Sequence, residues 1–302
     1  MLYLIDASVY VFRAYYSMPP DMLDREGNAA HALFGFARFL GDLIERAKPR
    51  YLAVAFDESL ETSFRNRIDP TYKANREPAP ADLKLQFGRC REFCEHLVVA
   101  HFGSGEYEAD DIIGTLHARF RREGLPATLV TRDKDLAQLV REGDVYWNYT
   151  ENLRLQHHEI EGHFGVAPER YADYLALTGD AVDNIKGVPG VGPKTAAVLL
   201  KEFASLEELY DNLKEVARLP IRGAAKLPQR LETHKDQAFL ARRLTEIARD
   251  MPLAAERDSL RPRKPDLTSL EAFFDRHNFG PMLRRQSLRL AELAASMERP
   301  AA

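Results

Sequence analysis

The chain has 302 residues, 45% of them hydrophobic, enough for a substantial core in one large domain or a main domain with a smaller partner. Its two cysteines, Cys90 and Cys94, exclude a disulfide framework and a four-ligand zinc site, and their spacing puts both on one face of a helix as core thiols. A formal net charge of −4 excludes a uniformly basic surface.

The N-terminus opens on an apolar strand, Leu2-Tyr3-Leu4-Ile5, with no basic leader, and no later run is long enough to span a bilayer; a cytoplasmic chain without a membrane partner is expected. A helix near 31–47, a strand over 51–56, a helix near 81–96, a short β-type run at 97–100, a helix over 109–123 and a strand near 128–131 follow. This alternation predicts an α/β fold with a mostly parallel central sheet flanked by helices. Such sheets collect ligands at the carboxyl ends of their strands. The polar segment from Asp57 to Leu83, rich in Arg and Pro, has weak core-forming periodicity and is expected to be a mobile cover. From Pro168 the pattern is almost wholly helical, punctuated by Gly187-Val188-Pro189-Gly190-Val191-Gly192, with a boundary near 151–167. After Asp250 come a polar, Pro-containing stretch, an apolar helix near 270–277 and an Ala-rich, charged end. Three units are expected: 1–165, 166–255, and an extension and tail over 256–302.

Asp6 follows the first strand, Asp57 the second, and Asp133 with Asp135 the strand over 127–130, so separate strands deliver acids to one edge. Glu108, Asp110 and Asp111 open a helix, where they either cap it or point into the same place. Any one Asp after a strand is commonly a turn former; the repetition at one edge is what implies a site. Carboxylates so crowded repel one another unless cations sit among them. Oxygen-only ligands select Mg²⁺ or Mn²⁺, and two such ions roughly 4 Å apart suit hydrolysis of a phosphodiester. No Walker A loop or dinucleotide glycine fingerprint competes.

Basic residues form two stretches, one with Arg65, Arg67, Lys73 and Arg76, the other with Arg218, Arg222, Lys226, Arg230, Lys235, Arg242 and Arg243. With metal ions offsetting the acids, these stretches are left to face a nucleic acid. Lys73 and Arg76 lie one helical turn apart and reach one phosphate if the segment is helical, with Tyr72 free to stack on a base. In the glycine hairpin, Pro193 suits the first turn of a helix, bare backbone approaches a phosphate, and Lys194 adds charge.

The chain resembles the bacterial 5′ nuclease family: the N-terminal 5′ nuclease domain of DNA polymerase I and its stand-alone flap endonuclease and 5′-3′ exonuclease relatives. The resemblance runs from Leu4-Ile5-Asp6 to Phe279-Gly280-Pro281-Met282-Leu283-Arg284-Arg285. It includes Phe56-Asp57, Tyr72-Lys73-Ala74-Asn75-Arg76, Glu108-Ala109-Asp110-Asp111, Asp133-Lys134-Asp135 and Gly179-Asp180-Ala181-Val182-Asp183-Asn184. It implies a PIN-like, resolvase-like sheet domain, a helical arch over about 60–90 that gates a single-stranded 5′ end, and a helix-three-turn-helix subdomain. By the same resemblance, Asp6, Asp57, Glu108, Asp110 and Asp111 hold one metal group and Asp133, Asp135, Asp180 and Asp183 a second, with two or more Mg²⁺ or Mn²⁺ ions. Arg13, Lys73 and Arg76 match positions that hold phosphates, and Tyr72 matches an aromatic beside the unpaired nucleotide. Gly187, Val188, Gly190, Gly192 and Lys194 match the duplex grip, where a K⁺ ion is often held. The implied activity is structure-specific 5′-3′ exonuclease and flap endonuclease cleavage of DNA by a two-metal mechanism, on 5′ flaps, branches or 5′-ended duplexes and extending to RNA primers, by a monomer acting alone or with recruited partners.

The sequence departs from the family pattern at Ala7, where Gly is usual, at Arg132, also usually Gly, and at Lys186, where Pro is common. Arg132 puts a cation beside the second metal group, either weakening that ion or adding a phosphate contact. Two rival readings, a DNA-binding relative without catalysis and a smaller PIN-type RNase, require missing acids or a missing arch and hairpin domain.

Overall fold

Runs such as Leu2-Tyr3-Leu4-Ile5 and Tyr51-Leu52-Ala53-Val54-Ala55-Phe56 are apolar on both sides of a strand, so they need cover on both faces. The computed structural model of the chain describes residues 1–58 and 62–298; residues 59–61, at the start of the expected arch, and 299–302, at the end of the expected tail, lie outside it. Strand β1 (Leu2–Asp6) leads into α1 (Ala7–Ser17), followed by α2 (His31–Ala47), β2 (Tyr51–Asp57), α3 (Phe64–Ile68) and α4 (Ala81–His96). Then come β3 (Ala100–Ser104), α5 (Ala109–Arg122), β4 (Ala127–Val130), a 3₁₀ helix over Lys134–Leu139, β5 (Val145–Asn148), β6 (Leu153–Gln156) and α6 (His157–Phe164). Beyond these lie α7 (Tyr171–Thr178), a ribbon of β7 (Gly179–Asp180) and β8 (Ile185–Lys186), α8 (Pro193–Glu202), α9 (Leu206–Asp211), α10 (Leu213–Val216), α11 (Leu227–Thr233) and α12 (Lys235–Thr245). Helices α13 (Leu267–Arg276) and α14 (Pro281–Glu298) end the described chain.

The main sheet has strand order β3-β2-β1-β4-β5-β6, parallel throughout except for β6 against β5. The chain winds outward from β1 through β2 to β3, then crosses back to β4 on the other side. The crevice at that reversal, beyond the carboxyl ends of β1 and β4, is where a doubly wound sheet can receive a ligand. One face of the sheet is covered by α1, α2, α4, α13 and α14 around Phe36, Leu40, Phe93, Phe273 and Phe274. Helices α13 and α14, from the expected extension, therefore complete a layer on the sheet. The other face is covered by α5 and by the chain leaving α12, through Ile112, Leu116, Phe120, Ile247 and Met251. A third core, around Tyr171, Leu175, Leu199, Leu206 and Leu231, belongs to the helical part. No helix among the described residues is long and apolar enough to cross a membrane.

Two expectations are corrected. The described part of 60–90 contains no helical arch: α3 is one short turn, Pro70 to Arg76 is a series of turns, and α4 belongs to the layer on the sheet. Asp69-Pro70, Glu77-Pro78 and Ala79-Pro80 each push the residue before proline away from helical geometry, and Lys73 takes a left-handed φ of 54°. The expected strand at 97–100 begins at Ala100, because Leu97 caps α4 and Val98 turns the chain with φ 53°.

Gly114 in α5 lies against the chain leaving α12. A Cβ there would sit 2.6 Å from Ala248 O and 2.6 Å from Ile247 Cγ2, and the first of these is backbone that cannot rotate aside. Gly114→Ala should therefore lower unfolding stability by about 1–3 kcal/mol despite the better helix propensity of alanine. Urea denaturation followed by circular dichroism checks this, and a variant as stable as the parent would contradict it.

Candidate active site

The strand ends bring the acids together because parallel register aligns them. Asp6 ends β1 opposite Ala55, and Asp57 ends β2 two residues further on, opposite Ser104 of β3. Asp6 caps α1, with Oδ1 3.5 Å from Val9 N, and its Oδ2 accepts from the Thr131 hydroxyl at 2.9 Å just after β4. Asp57 Oδ1 accepts from Ala109 N at 2.8 Å and so caps α5 from a neighbouring strand. Asp133 caps the 3₁₀ helix through Asp135 N at 2.9 Å. These acids are caps and site residues together: each helix N-terminus offers N–H groups and positive dipole where negative charge is gathered.

Asp6, Asp57, Glu108, Asp110, Asp133, Asp135 and Asp183 line one cavity of about 150 Å³, facing Lys73 and Arg76. Lys73 Nζ lies 2.7 Å from Glu108 Oε2 and 3.7 Å from Asp183 Oδ2, and Arg76 pairs with Asp183 Oδ1. Thr71 to Arg76 is bound to the 180–184 loop by backbone as well. Lys73 N donates to Asp183 O (3.0 Å), Asn75 Nδ2 to Ala181 O (3.1 Å) and Asn184 Nδ2 to Thr71 O (2.7 Å). In this arrangement no three of the described His, Cys, Asp or Glu side chains are gathered at metal-binding spacing.

Burial, then the charges of Asp57 and Asp133, push the Asp6 carboxyl up to about 8. Asp110, Asp133 and Asp135 are raised as well, chiefly by burial; repulsion from Asp133 adds to it at Asp110 and Asp135, and repulsion from Asp183 at Asp133. Burial would also raise Glu108, but Lys73 and Arg65 beside it hold it below the usual carboxylate range. Two carboxylate oxygens, Glu108 Oε1 and Asp135 Oδ1, are buried without a hydrogen-bond partner. Acids that offer only oxygen donors, two of them with an unpartnered buried oxygen, have the chemistry to hold hard divalent cations.

Several expected site residues sit elsewhere. Asp111 is fully buried off the cavity, its two oxygens taken by Arg65 (2.7 and 2.8 Å), Glu108 N (3.0 Å) and Ala248 N (2.8 Å), which leaves none for a metal. Asp180 stands behind the lining, close enough to raise Asp135, with Oδ1 accepting from Val182 N at 2.8 Å. Arg13 is exposed on α1, outside the lining. Tyr72 does line the cavity, but it is 3% exposed and donates to Glu108 at 3.1 Å, so in this arrangement it offers no face to a base. Of the first basic stretch, Arg65 lines the cavity but is buried against Asp111, and Arg67 pairs with Glu106. Arg132 lies at the surface 3.8 Å from Glu151, outside the lining.

In the hairpin, Gly190, Gly192 and Lys194 are exposed, but Val188 is buried in the helical core and its N–H is spent on Leu177 O. Gly187 lacks a side chain for a packing reason: a Cβ would lie 2.3 Å from Gly179 N. Roles that the sequence did not suggest are those of Ser8, whose hydroxyl accepts from Asp57 N at 3.2 Å, of Thr131 on Asp6, of Arg65 as the buried partner of Asp111, and of Gln138 on Thr245 O. Only Asp110-Asp111 carried a usable signal: neighbours on a helix point about 100° apart, so both cannot face one cavity.

The raised acids set a stability slope for the metal-free protein. Asp6 binds its proton with a pKa of about 8 in the fold against 3.8 as a free side chain, so between these values the native state holds a proton that the unfolded chain has lost. The stability this contributes is complete below the lower value and disappears as pH rises through the upper one. Melting in chelator should move to lower temperature as pH rises from about 6 to about 8.5, and Mg²⁺ should flatten the slope. Melting that rises with pH in chelator would contradict this reading of the cavity.

Residues 1–165 match the family model described as "5'-3' exonuclease, N-terminal resolvase-like domain" and residues 166–268 the one described as "5'-3' exonuclease, C-terminal SAM fold". DNA polymerase I of Pseudomonas aeruginosa is 39% identical over 274 residues, 90% of this chain and 30% of that protein, so the chain spans about a third of the length of such relatives. The 5'-3' exonuclease of Aquifex aeolicus is 33% identical over 270 residues, 89% of each chain. The fold is shared with the bacteriophage T5 flap endonuclease, solved as a pseudo-enzyme–product complex with DNA and metal ions, at a TM-score of 0.62 and 19% identity over 97% of this chain and 99% of that one. The chain belongs to the 5'-3' exonuclease family.

Proposed function

We propose that this protein is a divalent-metal-dependent, structure-specific 5′ nuclease that hydrolyses DNA phosphodiesters at 5′ flaps, branches and 5′ ends, RNA primers on DNA included, as a cytoplasmic monomer. The observation that carries it is the cavity at the β1/β4 crevice, where seven acids meet with two carboxylate oxygens left unpartnered. The metal complex of the structurally similar phage enzyme and the family match support the same reading.

In this reading residues 1–165 form the nuclease domain, 166–255 the duplex grip, and 256–302 an extension. Asp6, Asp57, Glu108 and Asp110 hold one Mg²⁺ or Mn²⁺ ion, and Asp133, Asp135, Asp180 and Asp183 a second. Such ions supply an activated water and stabilise charge on the attacking and leaving oxygens. Lys73 and Arg76, paired with Glu108 and Asp183 in this structure, exchange those partners for the scissile phosphate, whose developing charge they stabilise. Arg13, at the surface of α1, contacts a phosphate further out. Tyr72 has to leave its pocket with Lys73 to reach a base. Exposed Gly190, Gly192 and Lys194, with Arg218, Arg222, Lys226 and Arg230 on the same helical part, grip the duplex backbone without reading sequence. K⁺ at the hairpin would compete with Gln237 Nε2 for the Gly187 carbonyl.

Product mapping on an end-labelled 5′-flap duplex, with Mg²⁺ and with chelator, tests the proposal directly. The expected result is metal-dependent cutting near the flap junction; no cutting of any 5′-ended DNA with Mg²⁺ or Mn²⁺ would sink it. Asp110→Asn should lower turnover at least about 100-fold while duplex binding stays near the parent value, because a metal ligand is lost and no phosphate contact is. Lys73→Ala should lower kcat about 100-fold with KM little changed, whereas equal losses of affinity and rate would reduce Lys73 to docking.

A further inference from the structure

Helix α12 ends against the sheet domain, and its final carbonyls need partners that the helix cannot supply. They find them in two buried side chains from distant parts of the chain. Arg65 donates through Nε to Leu244 O (2.8 Å) and through Nη2 to Glu246 O (3.0 Å), while its fork holds Asp111. Gln138 donates to Thr245 O and accepts from Ile247 N, each at 3.0 Å. Asp111 closes the set by accepting from Ala248 N at 2.8 Å. Five consecutive residues, Leu244 to Ala248, are thus held through backbone groups by side chains, and Leu244, Thr245 and Ile247 also line the acid cavity.

Each clasp is rooted in one of the two acid-bearing segments. Arg65 acts through Asp111, which also fixes Glu108 N and is the helical neighbour of Asp110. Gln138 stands in the 3₁₀ helix that starts at Asp133 and carries Asp135. Generic stitching of a helix end would need donors only; here one donor, Gln138, belongs to one acid-bearing segment and the other, Arg65, is held by Asp111 of the second, and the separation of those segments decides whether the acids can share a pair of cations.

We propose that the Leu244–Ala248 strap, clasped by Arg65 and Gln138, sets the spacing between the two acid groups, which makes Arg65 and Gln138 positioning residues for cleavage. The proposal rests on the nuclease reading above. Lysine cannot replace Arg65, since one ammonium does not reproduce a planar fork bonded on three edges.

The test compares parent, Arg65→Lys, Arg65→Gln and Gln138→Met on a 5′-flap duplex at temperatures where circular dichroism shows each folded, with Mn²⁺ binding counted by electron paramagnetic resonance. The expected outcome is a kcat lower by roughly 10- to 100-fold with KM within about threefold, and weaker binding of one Mn²⁺. Arg65→Lys should share that loss although it keeps the charge. Lower melting temperatures with kcat and Mn²⁺ binding at parent level would overturn the proposal and leave the strap as plain stitching. Should Arg65→Gln not fold, Arg65→Lys and Gln138→Met decide. A parent protein that binds Mn²⁺ but cuts nothing refutes the nuclease reading instead, and the Mn²⁺ titrations still judge the strap.

Discussion

Mutual repulsion among buried carboxylates is the constraint around which this molecule is arranged. Seven acids line one small cavity, and burial raises Asp6, Asp110 and Asp135 well above their ordinary range and raises Asp133 too. A fold optimised for stability alone would not collect them. It tolerates them by three local means: N–H groups of helix N-termini aimed at Asp6, Asp57 and Asp133, the Thr131 hydroxyl on Asp6, and the Lys73 ammonium on Glu108.

The sheet and the helical part divide the remaining work. Parallel register brings Asp6, Asp57 and Asp133 to one edge, where only loops and helix starts are found. The helical part contributes Asp183 and encloses the cavity through Leu244 and Thr245, so neither part completes the site by itself. Tyr72, carried by the sheet domain's polar segment, is packed into the helical core and joins the two.

Much of this was legible in the sequence because both signals were local. Parallel strands buried on two faces read as unbroken apolar runs, and an acid directly after each run is visible by eye. Four-residue β5 and β6, with Arg154 and Gln156 in the second, carried too little periodicity to be seen. The roles that escaped depend on pairings between distant positions. Arg65 and Asp111 lie 46 residues apart, and nothing in a basic stretch says which of its cations will be buried. The hairpin is ambiguous in sequence for the opposite reason: contacts inside the protein already call for Gly187 and Val188 there, a demand that looks in sequence the same as a demand made by a phosphate.

The Lys73 ammonium, seated between Glu108 and Asp183, has a consequence for how the chain matures. Small proteins organised around a cation commonly cannot fold until it arrives, because nothing else neutralises the ligands. Here the polypeptide carries a counter-ion of its own on a segment of turns, so part of the neutralisation that a cation would give is built into the chain. Under the nuclease reading proposed above, an arriving cation would meet ligands already paired with a tethered side chain and would have to displace it.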